Sequence, residues 1–182
     1  MSAEITQTKA WVAGVIVKYN ICPFARAELE RDSIRYVQAD SSDTASVLAQ
    51  LIAECQWLDD NPQTATTLLI VPSGYDDFYQ YLDLLDMATE LLALEGYEGI
   101  YQLASFHPDY CFAGSHANDP ANYTNRAPYP VLHILREADV SRVMQNADDA
   151  DDIVARNIEF ARRKGADFFV QLLKTVKESQ PS

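Results

Sequence analysis

Residues 66–71 read TTLLIV, an uninterrupted β-prone run bounded by Asp59-Asp60-Asn61-Pro62 before it and Pro72-Ser73-Gly74 after it. A strand with no polar face is expected where a sheet is covered on both sides, so this run predicts a central strand with helices above and below. Upstream, Ile34-Arg35-Tyr36-Val37-Gln38-Ala39 has strand character. It leads into SSDTASVLAQLIAECQWL, where an N-cap cluster precedes Val47, Leu48, Leu51, Ile52 and Cys55 at helical spacing. Downstream, the pattern predicts a long helix from Tyr75 to Leu94, with Phe78, Leu82, Leu85 and Leu92 on one face and Gly96 as its stop.

The ends follow the same rules. Trp11, Val12, Val15, Ile16 and Tyr19 recur at three- and four-residue intervals, which predicts a helix from Ile5 that ends before Asn20 and Pro23; FARAELERD then reads as a short turn. Further strands are expected at Ile100–Phe106 and Val131–Arg136, and a helical tail at 148–177 broken or kinked at Gly165. The alternation predicts an α/β single-domain sandwich: a mixed, partly parallel four-stranded sheet flanked by helices, with the last two strands antiparallel neighbours.

Length and composition agree with one domain over residues 1–182. The formal net charge of -13 repels phosphate backbones, which excludes nucleic acid as an expected partner. No run approaches the roughly 20 apolar residues of a membrane span, and the N-terminus lacks a secretory pattern, so a cytoplasmic protein is expected. Cys22, Cys55 and Cys111 are irregularly spaced and read as free thiols. The oligomeric state is not legible.

Between the last two expected strands lies a 108–130 segment, well beyond ordinary connection length. Tyr110, Phe112, Tyr123 and Tyr129 with several prolines mark it as an ordered loop packed on something. All three histidines of the chain, His107, His116 and His133, fall in or beside it.

The phrases NICPFA (20–25), TTLLIVP (66–72), QLASFHPDY (102–110) and TNRAPYPVLHILRE (124–137), in this order, resemble the domain-of-unknown-function family 1415 of bacterial and plant proteins. The resemblance covers roughly residues 10 to 145. It implies neither a reaction nor catalytic residues, so the candidates come from residue chemistry.

In FHPDY, His107 and Asp109 flank Pro108 at a strand end, a pairing suited to acid/base catalysis; the structural alternative is that His107 bonds the loop backbone and Asp109 caps a turn. Arg126 sits before the rigid Ala127-Pro128-Tyr129-Pro130 mount, and its guanidinium is a planar fork for carboxylate or phosphate; alternatively it pairs with an acidic side chain of this acidic chain and pins the loop. Asn125, Tyr110 and Arg136 complete the candidate ligand-binding set. His133, among Val, Leu and Ile, reads as a core histidine.

His107, Cys111 and His116 form an H-x3-C-x4-H pattern that matches no well-known zinc arrangement, so neither a metal nor a cofactor is expected. Cys22-Pro23-Phe24-Ala25 resembles a glutaredoxin-type start without its second cysteine, and such a site would need a strand at 12–21. Cys22 is therefore carried as a candidate thiol only. Together these readings give a polar pocket under the 108–130 loop for a small anionic molecule, with hydrolysis or group transfer as the reaction class. The alternatives are a non-catalytic ligand-sensing or protein-binding module, or a single-cysteine redox protein. The sequence does not separate an enzyme from a binder.

Overall fold

The computed structural model describes residues 2–144 and 147–180. Its strands are β1 (Ile34–Gln38), β2 (Thr66–Ile70), β3 (Tyr101–Phe106) and β4 (Val131–Arg136), in the spatial order β1-β2-β4-β3. β1 and β2 are parallel, and β4 runs antiparallel to both β2 and β3. The sheet is thus mixed with one parallel pair, and β3 and β4 are antiparallel neighbours as their sequence order suggested. β2 is interior and buried at every position, the environment its unbroken apolar run requires.

The strand period of two divides the side chains between two layers. One face carries Leu69, Leu132, Ile134 and Tyr101 and packs on helices α3 (Thr44–Asp60) and α4 (Phe78–Leu94) through Val47, Leu51, Leu58, Tyr81, Leu84 and Leu92. The opposite face carries Leu68, Ile70, Val131 and Phe106. It packs on the N-terminal helix α1 (Ala3–Trp11), on its continuation to Val17, and on the C-terminal helix α7 (Ala166–Lys177).

Local chemistry explains the boundaries. Asp43 and Asp77 accept the first free N–H groups of α3 and α4, which moves the start of α4 from the expected Tyr75 to Phe78. Gly165, at φ +81°, separates α6 (Ala147–Lys164) from α7, a conformation that a side chain would strain. Two short helices correct the sequence reading. FARAELERD contains the one-and-a-half-turn helix α2 (Ala25–Glu30), and Glu137–Val143 forms α5 directly after β4.

The largest departure from simple periodicity is at 12–17, where α1 widens into a π-helical turn. Lys18 N–H reaches Ala13 C=O, and Ile21 N–H reaches Ile16 C=O. The extra residue per turn rotates the following side chains relative to an α-helix; such π turns occur often at functional sites.

Candidate functional site

His107 leaves the end of β3 toward α4 and is fully buried against Phe78 and Tyr81. Its Nδ1 accepts the main-chain N–H of Asp109 at 3.0 Å. The other nitrogen must then carry the proton, and Nε2 donates to the Tyr75 carbonyl at 2.9 Å. Both nitrogens are occupied by backbone. Burial pushes the His107 pKa below its ordinary value, the Tyr75 bond and the Asp109 charge opposing that in part. The Asp109 group that fixes the ring is its amide, while the residue itself is exposed.

Arg126 is engaged in the same manner. Its Nε donates to Tyr110 C=O at 3.1 Å, a terminal nitrogen donates to Ala117 C=O at 2.9 Å, and the guanidinium stacks over Tyr123 at 4.4 Å. Asn125 donates to Ser105 C=O, and Tyr110 packs its ring on Phe78 and Phe112. At the centre of the loop the fully buried Asn122 accepts Phe112 N–H and donates to His116 C=O. The 108–130 segment is therefore ordered by side chains that fill the bonding needs of its own backbone. The polar atoms of His107 and Arg126 go to separate carbonyls rather than converging.

Arg136 serves the other end of the sheet. Its nitrogens donate to the carbonyls of Leu58 and Thr64 and to the Tyr101 hydroxyl, closing the C-terminus of α3. His116 is exposed, and Cys111 Sγ lies against the carbonyls of Phe112 and Ser115. Among the described residues no three His, Cys, Asp or Glu side chains form a group able to hold a metal ion.

A cavity of about 320 Å³ opens on the opposite face of the sheet. Its floor is the sheet itself: Ile34, Thr66, Leu68, Ala104, Phe106, His133 and Leu135. Trp11, Val12 and Ile16 of the helical N-terminus and Ile21, Cys22 and Phe24 of the following turn form one wall, while Val140 of α5, Met144 and Ile153 of α6 border it elsewhere. The lining is predominantly apolar. The charged residues at its border include an Asp139–Arg142 ion pair within α5.

His133 is the one imidazole in this lining, half-buried on the floor between Thr66 and Phe106. Burial pushes its pKa down to about 4, and among the described residues no charged group acts on it. Its Nε2 lies 2.7 Å from Thr66 Oγ1, whereas its Nδ1 is buried and, among the described residues, without a partner. Cys22 shares the cavity wall. The preceding residues are helical where a glutaredoxin arrangement needs a strand, so Cys22 has a different setting from that class of thiol.

A family model described as a protein of unknown function (DUF1415) matches residues 3–171. The chain belongs to the DUF1415 family. No curated protein and no solved structure matches it. For this DUF1415 chain the geometry is thus the available guide to function. It draws attention to a cavity that sequence reasoning missed, because the lining residues come from all four strands and from helices at both ends of the chain, and most are ordinary core types. The only local hint was a histidine in an apolar strand, which the usual rule assigns to the core.

Proposed function

We propose that the chain is a binding or sensing module for a small, largely apolar molecule held between the helical N-terminal segment and the sheet. The observation that carries this reading is the cavity itself, which has an apolar wall and lies within the size range of small-molecule sites, about 300–1,000 Å³. The π-helical turn supports it, because it presents Val12 and Ile16 to that space.

A hydrolase or transferase built on His107 is less well supported, since that ring is buried and both its nitrogens hold backbone groups. An anion site built jointly on Arg126 and Arg136 is less well supported, since Arg126 bonds within the 108–130 loop while Arg136 donates to carbonyls at the C-terminus of α3, at the other end of the sheet.

The test is thermal unfolding with saturating toluene or naphthalene. A ligand bound only by the folded state raises the midpoint, and Ala104→Phe, which fills the cavity from its floor, should abolish the rise. An unchanged midpoint in the native protein, or a rise that survives Ala104→Phe, overturns the reading.

A further inference from the structure

Charge is distributed unevenly along the chain. Residues 36–125 contain no lysine or arginine, so all 14 basic residues lie outside that run, whereas 14 of the 27 carboxylates lie within it. Helices α3 and α4 both come from this run and cover the same face of the sheet. Arg35 reaches Glu54 of α3, and Arg136 reaches its C-terminus. α4 has no lysine, arginine or histidine of its own, and among the described residues none of its carboxylates is ion-paired. Its inner side is filled by Tyr81, Leu84, Ala88 and Leu92. On its outer side Tyr79, Asp83, Asp86, Met87, Glu90 and Leu94 are linked by three- and four-residue steps, and all are exposed. Tyr79 is 77%, Leu94 83% and Met87 41% exposed, and none of the three belongs to either core layer.

We infer that the outer side of α4 is a docking surface for a basic amphipathic helix of another protein, a segment with an apolar stripe and lysine or arginine along its flanks. This surface lies across the sheet from the cavity, so it stands whether or not the cavity takes a guest. Tyr79 to Leu94 spans about 22 Å at the α-helical rise, a straight ridge against which a partner helix of similar length can lie. Tyr79, Met87 and Leu94 supply apolar area, the general driving force of such association. Charge chooses the partner. Asp83, Asp86 and Glu90 stand between those contacts with no cation from this chain, so a partner that brings cations gains and one that brings carboxylates is repelled. A second copy laid α4 on α4 would set acid against acid, and the same repulsion opposes it.

A synthetic amphipathic helix of the length of α4, built of leucine, alanine and lysine and labelled for fluorescence anisotropy, tests this. It should be titrated with the native protein and with two charge inversions that change net charge equally. One is Asp83→Lys with Asp86→Lys and Glu90→Lys; the other is Glu30→Lys with Asp152→Lys and Glu178→Lys, exposed carboxylates outside the acidic run. Affinity should fall at least about tenfold in the first and change less than about threefold in the second. Met87→Ser with Leu94→Ser should also weaken binding about tenfold, by loss of apolar contact. Absence of binding to the native protein, or equal losses in the two inversions, overturns the proposal. Equal binding of a peptide without leucines, or of one with glutamate in place of lysine, overturns it too. A native dimer that Leu94→Ser dissociates in sedimentation would give the face to a second copy instead. If the α4 inversion does not fold, a nitroxide-labelled peptide on the native protein decides. It should broaden the methyl signals of Met87 and Leu94, and broadening confined to the opposite layer, at Val170 of α7, counts against the surface.

Discussion

The hydroxyl of Thr66 on β2 stands 2.7 Å from Nε2 of His133, two positions along β4 from its register partner Leu135, and turns its own proton to the backbone of Ile134. Burial holds this imidazole neutral in an apolar layer and makes the stability of the fold depend on pH in a defined window.

In the unfolded chain His133 protonates near the ordinary histidine pKa of about 6.5, whereas in the native protein it resists until about pH 4. Between those values the unfolded state binds more protons, so stability is complete above the window and falls as pH drops through it. His107, depressed in the same direction, adds to the trend. Urea midpoints at pH 7 and 4.5 should differ by a loss on the order of 2 kcal/mol from His133, and His133→Leu should shrink the difference without removing the His107 share. Asp119, held down to about 2 chiefly by its bond to Arg162, contributes only at more acid pH and does not confuse the measurement.

Arg136→Ala should destabilise the protein by roughly 2–4 kcal/mol, because it strips charged donors from carbonyls at the end of α3 and from the Tyr101 hydroxyl. Arg136→Lys should recover little, since one ammonium cannot reach the spread of acceptors that the guanidinium fork serves. Chemical denaturation of the three proteins gives the comparison.

Arg126→Ala should cost roughly 1–2 kcal/mol, from two bonds to loop carbonyls and the stacking on Tyr123. The same substitution should leave toluene affinity unchanged, because Arg126 is absent from the cavity lining. A small-anion binder would behave the other way, losing phosphate or carboxylate affinity with little change in stability.

Cys22 offers an independent readout of cavity occupancy. It lies on the wall, whereas Cys55 is buried with its thiol pushed up to about 12 by desolvation. Alkylation of Cys22 by a small apolar haloacetamide, followed by mass spectrometry, should slow in saturating toluene, while labelling of Cys111 should not. Equal rates at Cys22 with and without toluene would show that the guest does not cover that wall.

By itself the sequence determined the layers. TTLLIV required cover on both faces, helical periodicity and caps supplied that cover, and the order of elements implied a mixed sheet with β3 and β4 antiparallel. These features follow from short-range rules: side-chain period, capping and turn residues act over a few positions. It also marked 108–130 as ordered from its aromatic residues and prolines and offered backbone bonding as the alternative for His107, whereas the alternative for Arg126, an acidic partner, gave way to the carbonyls of Tyr110 and Ala117. Only the tertiary structure decided what those polar groups bond to. A histidine or arginine suits a ligand and a buried carbonyl equally well, and the partners, Tyr75 for one and Ala117 for the other, are set by folding. The cavity belongs wholly to that level. It arises where a π-helical turn, the Cys22 turn, α5 and the sheet floor meet without filling the space. Imperfect packing between distant segments leaves no periodicity for a sequence to display.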